Sequence, residues 1–158
     1  MARLRLLVLV AAALTLPAGC GGSERAEDTA AEATAPPAAG TLEALWKAPG
    51  EDVGLIQGTR DYAPGRVRVS FLVVRGNGAV VERPRARVWV ARGLKQKPYA
   101  EGVARLEPIG IPGGAAADVG SIYVTEVEVD EPGRYWLLAE PEGADEPIQG
   151  LATLVVNP

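Results

Sequence analysis

A stretch of alternating apolar and polar residues, residues 66–92, constrains the fold more than any other part of the chain. It opens with RVRVSFLVV. A period of two sends successive side chains to opposite faces of a β-strand, so this pattern predicts a strand with one buried face. The residues predicted to face inward are Val67, Val69, Phe71 and Val73.

The second half of this stretch turns the chain and predicts further strands. Asn77-Gly78 favours the positive φ values of a hairpin turn, after which residues 79–82 return. Pro84 has no backbone N–H to donate to a sheet, so it marks a crossover or an edge. In the strand that follows, Ala86, Val88 and Val90 lie on the inner face and Arg85, Arg87 and Trp89 on the outer face. The outer face is a candidate contact surface for a protein partner; the alternative is a solvated face whose arginines cover Trp89 by cation–π stacking.

Shorter segments predict the rest of an all-β domain. They are an edge strand at 52–58, a short strand at 103–107, a long loop from 108 into the alanines after 114, and strands at 121–129, 134–139 and 147–157. The chain has 19 Gly and 13 Pro, which indicates many turns, and few aromatic residues, so its core is built mainly from Val, Leu, Ile and Ala. About seven strands without a long helix predict an antiparallel β-sandwich.

Residues 1–19 have the pattern of a secretory leader. Arg3 and Arg5 precede an apolar run over residues 6–16, and small residues follow it. The run is short for a membrane span and its charges lie only at the amino end, which favours an export signal over a transmembrane anchor.

The end of this leader, Leu16-Pro17-Ala18-Gly19-Cys20, resembles the lipobox of bacterial lipoproteins, with Pro17 where an aliphatic residue is usual. The resemblance implies that Cys20 carries a diacylglyceryl group and holds the protein at the extracytoplasmic side of the cell membrane. The alternative is a secreted protein with a free Cys20 thiol. Because Cys20 is the only cysteine, no intramolecular disulfide can form.

The folded domain is predicted to start at residue 41. Residues 20–40 are small or polar, which predicts a flexible linker after the lipidated cysteine. Leu42, Leu45 and Trp46 then follow helical spacing, and Trp46 is expected to form a lid on the end of the sandwich. Residues 41–158 form the predicted domain.

The segment Asp130-Glu-Pro-Gly-Arg-Tyr135-Trp-Leu137 resembles the D-x-x-G-x-Y-x-L segment of immunoglobulin-like domains. That resemblance implies that the Tyr135 hydroxyl bonds back to the backbone and serves the fold. Residues 51–158 are also similar to FixH/YtkA-like and CopC-like envelope modules, and to the immunoglobulin-like module that precedes a thioredoxin-like domain in some actinobacterial lipoproteins. The leader, the linker, the strand alternation and the lack of catalytic groups predict a binding or assembly module. The alternative, which the family resemblance implies, is an accessory docking subunit for an envelope thioredoxin-like redox system.

Composition argues against most other functions. The chain has no histidine, which removes Ser–His–Asp catalysis, and its only methionine is the first residue, so the copper sites of CopC-like proteins do not carry over. Its net charge of −4 does not indicate nucleic acid, and neither nucleotide-binding glycine motif is present. We therefore expect no enzyme activity, cofactor or metal.

Four carboxylates lie close together in the sequence: Glu126, Glu128, Asp130 and Glu131. Such a group can form a catalytic pair, a calcium site or a solvated surface, and the sequence favours the solvated surface. Residues 60–105 are rich in basic side chains, whereas residues 118–146 are acidic. This distribution predicts either a dipolar domain or ion pairs between the two regions.

Overall fold

A computed structural model describes residues 36–110 and 119–158. They lie in one unit, Ala35–Pro158, with a short helix and seven strands. The elements are α1 (Leu42–Trp46), β1 (Glu51–Gln57), β2 (Gly65–Val74), β3 (Arg85–Ala91), β4 (Ala100–Pro108), β5 (Ser121–Val129), β6 (Gly133–Pro141) and β7 (Ile148–Val156). The leader, Cys20 and most of the linker lie outside the described residues, as do residues 111–118 of the predicted loop. Within the described ranges, no helix is long and apolar enough to span a bilayer.

The seven strands form one closed barrel in the order β1-β2-β5-β4-β3-β6-β7. All neighbours are antiparallel except β1 and β7, which run parallel. The predicted all-β fold of about seven strands is confirmed. The strands do not form the two separate sheets of the predicted immunoglobulin-like sandwich, because β4 also pairs with β5 and β1 also pairs with β7.

The strand predicted at 103–107 is confirmed, as part of the nine-residue β4. Two local predictions were wrong. The predicted edge strand at 52–58 corresponds to β1, which has a partner on each side. The return after Asn77-Gly78 is only a single bridge, Val74↔Val80, although the turn itself forms with Gly78 at φ +86°. Residues 79–84 then lead to β3, which pairs with β4 and β6, so Pro84 does mark a crossover.

The barrel interior contains the residues that alternation predicted for the inner face. Val69, Phe71 and Val73 of β2 are fully buried, and β3 contributes Ala86, Val88 and Val90. The Phe71 ring stacks on Tyr123 of β5 with centroids 5.5 Å apart. This core fixes which side chains of β2, β3 and β5 face outward.

A second apolar cluster lies outside the barrel, beneath α1. Its buried members are Leu42 of α1, Trp89 and Ala91 of β3, and Leu138 of β6, with Trp46 packed against them. The Thr41 hydroxyl caps α1 by accepting from the Ala44 N–H at 3.2 Å and donating to the Ala38 carbonyl at 2.7 Å. Trp46 therefore packs on an outer face of the barrel, whereas the sequence predicted a lid on one end.

Candidate functional site

The outer face of β3 and β4 holds the residues that the sequence singled out for partner contact. Strand pairing places Arg85 opposite Arg105 and Arg87 opposite Val103, and further along the ladder Trp89 opposite Glu101. Directly opposed residues share one face of a sheet, so these side chains form adjacent rows on the outer wall.

Trp89 does not belong to the accessible part of this surface. Its side chain is only 5% exposed, because α1 and Leu138 cover it. The guanidinium carbon of Arg87 lies 4.8 Å from the centre of the Trp89 ring and closes the remaining side. The prediction of Trp89 as a contact residue is therefore corrected: the indole is a packing residue, and the stacking alternative describes it.

Arg85 and Arg87 remain at the surface, each beside one carboxylate. Arg85 Nε lies 3.4 Å from Glu142 Oε2, and Arg87 Nη2 donates to Glu101 Oε1 at 3.1 Å. Both arginine side chains are about half exposed or more, so these pairs stay hydrated and are worth little to stability.

The structure adds two residues that the sequence reasoning missed. Arg105 is exposed and has no carboxylate within ion-pair distance among the described residues. Val103 is 47% exposed and sits beside it on β4. We call Arg85, Arg87, Val103 and Arg105 the arginine face. The alternation of 103–107 was visible in the sequence, but its register against β3 was not.

Three of the four carboxylates at 126–131 form ion pairs with arginines. Glu126 and Glu128 lie 3.8 and 3.7 Å from Arg66, and Glu131 lies 3.0 Å from Arg92. Among the residues that the structure describes, no three acidic or cysteine side chains converge in a way that could hold a metal ion. The geometry therefore favours the predicted solvated surface, here with ion pairs, over a catalytic pair or a calcium site.

Tyr135 makes the contact that the immunoglobulin-like resemblance implied. Its hydroxyl donates to the Glu131 carbonyl at 2.8 Å, and its ring is 1% exposed. Arg92 stacks on that ring at 4.7 Å, and Tyr99 packs against its edge at 6.0 Å. Burial, together with the nearby Tyr135, raises the pKa of Tyr99 to about 12. The role predicted for Tyr135 in the fold is confirmed.

The second accessible feature is a cleft of about 500 Å³ at the junction of β1 and β7, which no sequence motif indicated. Its lining combines apolar side chains with the polar residues Gln57, Arg60 and Thr153. Comparison with protein-family models and with curated proteins found no match for this chain.

Proposed function

We propose that this protein is a lipid-anchored extracytoplasmic module that binds a protein partner without catalysis, and that the arginine face contacts an acidic surface of that partner. The observation that carries the proposal is the direct opposition of Arg85 and Arg105 across β3 and β4. Like charges directly opposite each other destabilise a sheet. This arrangement does not stabilise the fold, whereas contact with an acidic partner would offset the repulsion between the two arginines.

The composition of the face supports the same conclusion. Arginine is enriched in protein interfaces, where its planar guanidinium pairs with carboxylates through two hydrogen bonds. Val103 adds exposed apolar area between the charged side chains. In a complex, such apolar area helps to exclude water from the contact. Because Arg105 has no carboxylate partner among the described residues, its charge is available to a second protein.

The anchor is proposed from the sequence. The leader, the lipobox ending at Cys20 and the polar linker up to residue 40 support attachment to the extracytoplasmic side of the cell membrane. The immunoglobulin-like relationship is part of the proposal as well, supported by the hydrogen bond from Tyr135 to Glu131. The alternative function is that of an accessory docking subunit for an envelope thioredoxin-like redox system; we refer to it as the docking form.

Cross-linking in intact cells tests the partner. We expect the wild-type chain to capture one defined protein, and the Arg85→Gln/Arg105→Gln variant to lose most of that capture. Arg60→Gln is the matched control, because Arg60 is also an exposed arginine without a described carboxylate partner but lies outside the arginine face. Raising the ionic strength should weaken capture by the wild-type chain. Equal capture by all three proteins would reject the arginine face, and capture of a thioredoxin-like protein would support the docking form.

Mass spectrometry of the mature amino terminus tests the anchor separately. We expect a diacylglyceryl-modified Cys20 in the native protein and a water-extractable product from Cys20→Ser. An unmodified Cys20 in membrane-bound wild-type protein would reject the lipid anchor and leave the arginine face untouched.

A further inference from the structure

From the geometry of the junction between β1 and β7, we infer a binding site for a small organic carboxylate that carries an apolar group and an amide. This inference is independent of the arginine face and of the anchor. We call the site the seam cleft; its lining residues used here are Leu55, Gln57, Arg60, Trp136, Thr153 and Val155.

The cleft exists because the two sides of the junction differ in length. The parallel ladder ends at Gly54↔Leu151, and the strands meet again at Tyr62↔Val156. Between these contacts, β7 has four residues, 152–155, whereas the opposite side has seven, 55–61. The longer side cannot follow the shorter one in register, so the barrel wall opens between them.

The open segment leaves backbone groups of β7 available. Asn157 donates its N–H to the Tyr62 carbonyl at 2.8 Å, which shows that this residue points toward the β1 side. Backbone direction alternates along a strand, so Val155 and Thr153 point their N–H groups to the same side. The ladder with β1 has ended at Leu151, so neither group has a β1 partner.

Gln57 points to a missing ligand. Its side-chain nitrogen Nε2 is buried and has no hydrogen-bond partner among the described residues. A buried polar group without a partner is costly, and native structures contain few of them. Because Gln57 also lines the cleft, rotation of its side chain toward the opening would bring Nε2 to a ligand oxygen and complete its hydrogen bonding.

The charge of the cleft selects an anion. Among the described residues that line it, Arg60 is the only charged one, and none is an aspartate or glutamate. The neighbouring Asp61 carboxylate accepts from Asn157 Nδ2 at 2.5 Å. Arg60 is thus available to a carboxylate, while Leu55, Trp136 and Val155 offer an apolar surface.

The rim is held in place before any ligand arrives. The Tyr62 hydroxyl donates to the Thr59 carbonyl at 2.8 Å, and Gly58 N–H donates to the Ser70 carbonyl at 2.9 Å. The cleft volume of about 500 Å³ lies in the range of small-molecule sites, roughly 300–1,000 Å³. Because strand pairing closes the opening at both ends, it suits a compact molecule better than an inserted peptide strand.

N-acetylphenylalanine is a suitable probe, since it has a carboxylate, an amide and an apolar ring. Titrated into the ¹⁵N-labelled full chain, it should shift the NMR signals of the Gln57 side-chain amide, the Thr153 and Val155 amides, and the Trp136 indole. The neutral analogue N-acetylphenylalanine amide should bind about tenfold more weakly, as expected from the loss of one charge-assisted hydrogen bond.

Three variants separate binding from folding. Arg60→Gln should weaken binding of the probe about tenfold, whereas Lys95→Gln, a control that removes an exposed positive charge outside the cleft, should bind like wild type. Gln57→Met should weaken binding yet raise the urea midpoint, because it removes the unpartnered buried nitrogen. A structural role for the Gln57 amide would instead lower that midpoint.

Several outcomes would overturn the inference. Shifts centred away from the seam cleft would reject the site, and equal binding of the acid and its amide would reject the anion. Wild-type affinity in both Arg60→Gln and Gln57→Met would reject the polar contacts. A pentapeptide ending in phenylalanine that binds more tightly than the probe would replace the small molecule by a peptide chain.

Discussion

The hydroxyl of Tyr135 ties the turn before β6 to the strand that follows it. Its hydrogen bond to the Glu131 carbonyl is 2.8 Å long and is formed at a ring that is almost fully buried. Tyr99 offers a comparison within the same cluster, because its hydroxyl donates to the Glu128 carbonyl at 3.0 Å from a ring that is 49% exposed. Water can therefore replace the hydrogen bond of Tyr99 far more easily than that of Tyr135.

Tyr135→Phe should therefore lower the free energy of unfolding by about 1 kcal/mol, since it removes a hydrogen bond and leaves the packing intact. Tyr99→Phe should lower it by less than about 0.5 kcal/mol, because an exposed carbonyl regains water. Urea unfolding measures both, and the slope with denaturant should not change. Equal losses in the two variants would argue against a special role for the Tyr135 corner.

Single residues also mark where sequence reasoning ended. The contact of Tyr135 was implied by the resemblance of residues 130–137 to a segment of immunoglobulin-like domains, in which the motif and its partner are local. Trp89 was harder, because alternation assigns a residue to a face of β3 but not what covers that face. Its cover, α1, lies more than forty residues earlier in the chain. The apolar spacing of Leu42, Leu45 and Trp46 was the available signal that α1 needed a surface to pack on.

At the scale of elements, the contact between β1 and β7 decides the architecture. It closes the barrel by pairing the first strand with the last in parallel. The backbone of β7 lies close to β1 at Gly150. A Cβ atom on Gly150 would lie 2.6 Å from Leu55 Cδ2 and 3.1 Å from the Val53 carbonyl oxygen. No side chain fits there without movement of β1 or of Leu55.

Gly150→Ala should destabilise the protein by about 1–3 kcal/mol through overpacking. Gly54→Ala on the facing strand is the control, because its Cβ would lie 3.6 Å from the Val74 carbonyl oxygen, an ordinary contact. The double variant Gly150→Ala/Leu55→Ala should lose less than the sum of the single losses, because Leu55→Ala removes the obstructing atoms. Thermal unfolding of the four proteins checks this. Additive losses would show that Leu55 is not the obstacle.

Periodicity predicted the strands themselves but not how they pair. Both β2 and β3 have an alternating pattern whose predicted inner face is buried. Pairing partners depend on long-range contacts, such as β4 with β5, that leave no local signal. The seam cleft depends on a difference in length between two segments about ninety residues apart, so it could not be predicted from the sequence.

At the scale of the whole molecule, the basic and acidic parts of the chain meet across strand pairs. β2 lies beside β5 and β3 beside β6, so Arg66 approaches Glu126 and Glu128, and Arg92 approaches Glu131. Of the two predictions made from the charge distribution, these pairs support the one of internal pairing. Pairs this exposed contribute little to stability, and the barrel depends on its apolar interior.

That interior makes the fold sensitive to alkaline pH. Burial in the barrel raises the pKa of Tyr62 and of Tyr123, and partial burial together with the nearby Tyr135 raises the pKa of the half-exposed Tyr99 to about 12. An unfolded tyrosine ionises near pH 10, so above that pH the unfolded chain loses phenolic protons that the folded chain retains. The stability due to these tyrosines is therefore fully present below about pH 10 and is lost as the pH rises toward the folded pKa values.

We expect the free energy of unfolding, measured in urea, to fall steadily between about pH 10 and 12. The fall should be shallower in Tyr123→Phe, because phenylalanine has no proton to lose and the buried ring is kept. The comparison with wild type at each pH isolates the contribution of Tyr123. Absorbance at the phenolate band should show folded wild-type protein ionising at higher pH than urea-unfolded protein. A parallel fall in Tyr123→Phe and wild type would assign the alkaline loss to groups other than this buried phenol.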